Sequence, residues 1–178
     1  MLRANRTRAN KPKVTYDEVL SLLQYDLKTG DFVWLERLGC KAWNTRYAGK
    51  VAGRLNDQGY VIIEIFDKPY RAHQLAWFYV TGDWVARIDH EDTDRSNNAW
   101  LNLREATIVQ NAGNSRRHKD SLSTNKCVYF YPKRNKWLAK ICINYKQKYL
   151  GYFDSEIEAV EAYKMAAEAH FGEFARVV

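Results

Sequence analysis

Cysteine is scarce in this chain: Cys40, Cys127 and Cys142 are odd in number and share no CxxC spacing. That pattern excludes a disulfide framework and a zinc knuckle, so no structural zinc is expected, and it fits a reducing, cytoplasmic compartment. Long apolar runs are absent as well. None approaches the roughly 18 residues that a membrane span needs, and the basic stretch Met1 to Lys13 is not followed by the apolar segment of a secretory signal. There is no internal repeat and no low-complexity tract. Acid is missing from two places: residues 1–13 carry five Lys/Arg and no Asp or Glu, and residues 116–148 carry ten Lys/Arg against Asp120 alone.

What is present follows from that imbalance. The net charge of +7 divides into +5 over residues 1–13, −3 over 14–115, +9 over 116–148 and −4 over 149–178. Two basic blocks around a mildly acidic domain point to a tail and a module that both meet phosphate. The length of 178 residues suffices for one large domain or two small ones, and twelve Tyr and six Trp can serve cores, base stacking or both.

Element signals place the candidate chemistry. Residues 1–13 read as a disordered basic tail. Thr15 opens a helix, with Glu18 completing a capping box and Val19, Leu20, Leu22 and Leu23 as its apolar stripe. Strands are expected over 31–36 and 59–66, a turn at Asp67-Lys68-Pro69, and a strand running into a helix over 70–82. Residues 87–90 read as a strand, 91–100 as a polar loop and 101–104 as a returning strand. Thr107 then caps a helix with Gln110 as its reciprocal partner, placing Asn111 one turn inside. Residues 119–125 read as a linker. Three short strands follow, then a helix capped by Ser155 whose inner side is expected to carry Ile157, Val160, Tyr163, Met165, Ala167 and Phe171. The fold class is α+β in two units, 14–118 and 126–178.

The stretch Ile88-Asp89-His90-Glu91-Asp92, with Asn97-Asn98, Asn102-Leu103-Arg104 and Asn111, carries the chemistry. Asp and Asn supply hard oxygen ligands for one divalent cation, Mg²⁺ or Mn²⁺, and a neutral His can take a proton from water near pH 7. Adjacent strand residues point to opposite faces, so Asp89 and His90 can serve one phosphate only if the strand ends or twists there. In this reading Asp89 and Asn111 hold the cation and His90 activates water. Asn102 bonds backbone across the loop or orients the imidazole, and Arg104 neutralises a phosphate. Glu91, Asp92 and Asp94 read as a solvated acidic loop, and His73 as a hydrogen-bonded core or packing residue rather than a ligand.

Asp89-His90, Asn102-Leu103 and Asn111, spaced by 12 and then 9 residues, resemble the HNH homing-endonuclease pattern in its variant with Asn at the last position. The segments YRAHQLAWFYVTGDW and IDHEDTDRSNNAWLNLREATIVQN are similar to phage and intron-encoded members across 15–118. The resemblance implies a ββα-metal nuclease unit with Asp89 and Asn111 as metal ligands, His90 as general base and Asn102 as a structural member. It also implies a phage-infected bacterial cell as the setting. KWLAKICIN, KYLGYFDSEIEAVEAY and HFGEFARV resemble the plant ethylene-response-factor (AP-two type) DNA-binding domain over about 125–178. That resemblance implies a three-stranded sheet that reads double-stranded DNA, buttressed by the helix. Alternation turns Trp137, Ala139, Ile141 and Ile143 toward the helix, and Lys136, Lys140 and Cys142 outward with Tyr129, Tyr131 and Tyr149. Lys126, Arg134, Lys148 and the linker residues Arg116 and Arg117 complete the expected DNA contacts. The chain is expected to act as a monomer with no obligate protein partner. The competing reading is a non-catalytic DNA-binding regulator built on a degenerate nuclease fold.

Overall fold

The computed structural model describes residues 14–114, 125–144 and 146–176. The tail 1–13 and the linker arginines Arg116 and Arg117 lie outside them. Helix α1 (Tyr16–Leu22) begins on the expected capping box, in which Thr15 accepts from the Glu18 amide and the Glu18 carboxylate accepts from the Thr15 amide. It is shorter than its apolar stripe suggests. Leu23 already belongs to strand β1 (Leu23–Tyr25), which pairs antiparallel with β2 (Phe32–Trp34). Helix α2 (Lys41–Tyr47) follows, with no buried residue and therefore no apolar period to announce it.

Strands β3 (Arg54–Leu55), β4 (Val61–Ile65) and β5 (Lys68–Arg71) form an antiparallel sheet in that order. The β4–β5 turn sits on Phe66 and Asp67, both at positive φ, rather than on Asp67-Lys68-Pro69. Two left-handed residues match the twist of a tight hairpin, and Pro69 falls on the edge strand, where its missing N–H costs no ladder bond. Helix α3 (Ala72–Thr81) lays Ala72, Leu75, Ala76 and Phe78 into a core shared with Val19, Leu23, Phe32, Ile63 and Ile65.

Strand β6 (Ile88–His90) pairs antiparallel with β7 (Leu103–Glu105), and helix α4 (Ile108–Gly113) follows from a complete Thr107–Gln110 capping box. These short elements straddle two cores. Ile88 and Leu103 pack into the first, whereas Ala106 and Val109 pack into the second, with Val128, Ala139, Ile141, Tyr163 and Phe171. The second core lies between the sheet β8 (Val128–Tyr131), β9 (Lys136–Ile143) and β10 (Lys146–Phe153), ordered β10-β9-β8, and helix α5 (Glu156–Phe171). The buried stripe of α5 is Ala159, Tyr163, Ala167 and Phe171, a strict four-residue repeat, while Ile157 and Met165 are 75% and 72% exposed. The expected stripe was thus too wide. The two alanines let the helix approach the sheet, and the tyrosine and phenylalanine fill the ends of the layer.

Two glycines mark where elements touch. A Cβ on Gly30, at φ +81°, would lie 2.3 Å from the backbone of Asn98 and Ala99, so the β1–β2 turn presses directly on the 91–102 loop. Tyr25 Oη donates to the Asn98 carbonyl at 2.6 Å, and the Trp100 amide donates to the Leu27 carbonyl at 2.9 Å. A Cβ on Gly113 would lie 2.6 Å from Phe171 Cγ, so α4 can seat against the end of α5 only because residue 113 has no side chain.

Candidate active site

Ile88, Asp89 and His90 are all buried, and β6 ends at His90. Asp89 pairs in register with Arg104 and turns toward α4. Its Oδ2 accepts from Arg104 Nε at 3.0 Å and from Asn114 Nδ2 at 2.9 Å, and Arg104 Nη2 also lies 3.0 Å away. Asn114 Nδ2 further donates to the His90 carbonyl at 2.7 Å, tying the end of the strand to the helix. Among the described residues, the hydrogen bonds to the Asp89 carboxylate all fall on Oδ2. Arg104 is not the free phosphate contact expected. Its side chain is only 18% exposed, its Nη1 donates to the Glu173 carbonyl at 3.2 Å, and its guanidinium stacks 3.8 Å from the Phe174 ring centroid.

His90 occupies the opposite side of the strand. Its ring meets His73 edge-on at 4.8 Å between centroids and lies 6.2 Å from the Tyr60 ring. Burial pushes the His90 pKa down, opposed by Asn98 and by the charges of Asp92, Asp89 and Asp94. The imidazole is therefore neutral at pH 7. The Asn98 side chain lies against the ring, and both its Oδ1 and His90 Nε2 are buried without a hydrogen-bond partner among the described residues. Nδ1 is not among the enclosed, unpaired atoms, and His90 lines the cavity described below. His73 is the buried floor under this imidazole. Burial, then the neighbouring His90 and Arg71, push its pKa down to about 3. Its Nδ1 is buried without a hydrogen-bond partner among the described residues, and the ring packs against Tyr60 and His90.

The polar loop is tied down by its own side chains. Asn102 Oδ1 accepts from the Asp92 amide at 3.0 Å, and its Nδ2 donates to Asp92 Oδ1 at 3.0 Å and to the Asn97 carbonyl at 2.8 Å. Asn97 Nδ2 donates to Asp92 Oδ2 at 2.7 Å. Asn102 thus bonds backbone across the loop, and the place beside the imidazole belongs to Asn98. Asp92 is the hub of the loop rather than a free solvated carboxylate.

Asp89, His90, Asn111, Asn114, Asp94, Arg95, Tyr60 and Gln58 line one cavity of about 490 Å³. It brings Asp89 and Asn111 to the same space, as joint cation binding requires. Asn114 was not singled out from sequence, although it stands three residues after Asn111 and so on the same helix face. Among the described residues no cluster of three or more His, Cys, Asp or Glu could cage a metal. A carboxylate edge and an amide opening on one polar cavity fit a magnesium-like ion, which takes one or two protein ligands and fills its shell with water and phosphate oxygen.

The outer face of the second sheet is aromatic and basic. Lys140 Nζ lies 4.7 Å from the Tyr129 ring, Arg134 sits 4.6 Å over Tyr152, and Tyr131 meets Tyr152 at 5.6 Å. Tyr149 is exposed, and Lys136 pairs with Asp154 at 2.8 Å. Two expected contacts leave this face. Lys148 pairs in register with the buried Ile141, which places it on the helix side of the sheet edge. Lys126 is 7% exposed, and its Nζ donates to the Gly113 carbonyl at 2.6 Å and the Ala112 carbonyl at 3.2 Å. Its ammonium is held by the last turn of α4 rather than presented on the outer face of the sheet.

A family model described as HNH endonuclease matches residues 70–112, from β5 through the strand pair to Asn111 and Ala112. The match supports an HNH nuclease. It covers the buried Asp89-His90 pair, the Asn102 loop and most of α4, and it does not reach residues 125–176. Neither a curated protein nor a solved structure matches the chain. No helix among the described residues is long and apolar enough to cross a membrane.

Proposed function

We propose that this protein is a metal-dependent endonuclease that hydrolyses phosphodiester bonds in double-stranded DNA, of the homing type and nicking one strand at a time. The observation that carries the reading is the opening of Asp89, His90 and Asn111 onto one polar cavity, with the imidazole held neutral by burial. His90 removes a proton from the attacking water, and its carboxylate neighbours favour the imidazolium that results. The His73 ring below and the Asn98 amide beside it hold the imidazole plane. Asp89 and Asn111 would hold the divalent cation, which when bound stabilises charge on the leaving 3′ oxygen. Arg104 and Asn114 fix the Asp89 carboxylate through its Oδ2, in the wall of the cavity that Asp89 lines.

The outer face of β8–β10 is the DNA-reading surface in this proposal, through Lys140, Tyr129, Tyr131, Arg134, Lys136 and Tyr149. The other arginines expected to meet DNA, Arg116 and Arg117, lie outside the described residues. Tyrosine and lysine in place of arginine weaken bidentate guanine reading and leave phosphate contact and stacking as the main terms. Incubation with supercoiled plasmid and Mg²⁺ or Mn²⁺ tests the reading. Conversion to the nicked form that stops on chelation is expected, and binding without any strand scission at high enzyme concentration would sink it.

A further inference from the structure

A nuclease cavity that carries the carboxylates of Asp89 and Asp94 must still admit a polyanion. Arg104, the guanidinium nearest the catalytic strand, is spent on Asp89. Among the described residues that line the cavity, Arg95 is the one cationic side chain. Its Nη1 donates to the Gln58 carbonyl at 3.1 Å, and its guanidinium lies 5.0 Å from the centroid of Tyr60. Arg71 leans on the same ring from 4.6 Å. Both arginines are exposed, and neither forms an ion pair with a carboxylate among the described residues. Tyr60 in turn packs against His73 at 5.3 Å and His90 at 6.2 Å.

One tyrosine therefore gathers two unneutralised guanidiniums one ring away from the candidate base. Two like charges on one ring repel each other, and that arrangement is stabilised when an anion sits between their forks. Stacking on the ring holds each fork's plane while leaving its edge donors free. We propose that Arg71 and Arg95, aligned by Tyr60, grip a backbone phosphate of the DNA strand next to the one that is cut. The inference rests on the nuclease reading and extends it: strand placement in the cavity is set by this grip, not by Arg104. Because the shared contact is Tyr60 rather than His90, the gripped phosphate is a neighbour on the strand, and holding it fixes which ester stands before His90.

The test uses the full chain carrying His90→Ala, so that DNA is bound and not consumed. Duplex affinity is measured between about 50 and 200 mM salt for Arg71→Gln, Arg95→Gln and the double variant. Each single change is expected to raise Kd about tenfold at low salt. Each should also lower the slope of log Kd against log salt by about 0.9, and Arg95→Lys should restore the slope. In the otherwise unaltered chain the same variants should raise KM more than they lower kcat. Unchanged slopes in variants whose melting temperature is unchanged would overturn the grip. Should Arg95→Gln lose its fold, the exposed Arg71→Gln decides alone, by the same slope. Normal slope losses in a chain that cuts no DNA with Mg²⁺ or Mn²⁺ would uphold the grip and overturn the nuclease reading instead.

Discussion

His90→Ala removes a base that acts on water and contributes little to ground-state binding. Cleavage is expected to vanish while duplex affinity stays within about twofold, checked by nicking assay and anisotropy on the same preparation. Asp89→Ala should behave differently. It strands Arg104 and the buried Asn114 amide, so a melting-point drop equivalent to about 3–5 kcal/mol should accompany the loss of cutting. A variant that lost cutting with its stability intact would show that the Arg104–Asn114 cluster does not depend on Asp89. His73 supplies a pH signature. Its folded pKa, near 3, lies below the ordinary imidazole value of 6.5, so the unfolded chain binds the proton more readily. Its contribution is complete above about pH 6.5, and it costs about 1.4 kcal/mol of stability for each unit the pH falls from there toward 3. His73→Phe should flatten that part of a stability-against-pH curve relative to the wild type. The order and spacing of Asp89, His90 and Asn111 are local features of the sequence, and all three line one cavity. The roles of Asn98, Asn114 and His73 were not legible there, since each depends on which face of a folded element meets the imidazole or the carboxylate.

At the scale of elements, α4 is held from both ends. Thr107 caps its start, while Lys126 and the seat of Gly113 on Phe171 secure its finish. Burial lowers the Lys126 pKa, yet its ammonium on two carbonyls replaces the lost water. Lys126→Ala should cost about 1–3 kcal/mol, through the loss of its hydrogen bonds to the end of α4, and should leave the salt slope of DNA binding untouched. A changed slope would return Lys126 to the DNA surface. Gly113→Val should force Phe171 aside and lower the melting temperature by the equivalent of about 1–3 kcal/mol, with cleavage falling as Asn111 and Asn114 shift. Capping boxes made α1 and α4 readable from sequence, because Thr15–Glu18 and Thr107–Gln110 are three-residue signals with a local cause. Helix α2 has no buried face to leave a period, and α5 buries a narrower stripe than its composition suggests.

For the whole molecule, the polar linker read before residue 126 divided the sequence into two units, whereas the second of the two cores draws Ala106 and Val109 from ahead of that linker. Their interlocking was not legible, since it runs through contacts such as Arg104 to the Glu173 carbonyl, 69 residues apart. Cutting the chain near residue 120 would expose Ala106 and Val109 and remove the stacking partner of Arg104. The shortened protein should melt lower and nick far more slowly, in addition to losing DNA affinity and salt dependence. Nicking at the full-length rate would show that the first core holds the site unaided.

The same contact sets a timetable for synthesis. A ribosome releases the strands bearing Asp89 and Arg104 well before it reaches Glu173 and Phe174. Until those two emerge, the guanidinium that braces Asp89 has neither its carbonyl nor its aromatic lid, and α4 has no Phe171 to rest on. A polypeptide abandoned midway carries the motif without the brace, and Arg104 gains its full set of contacts only as residue 174 leaves the exit tunnel.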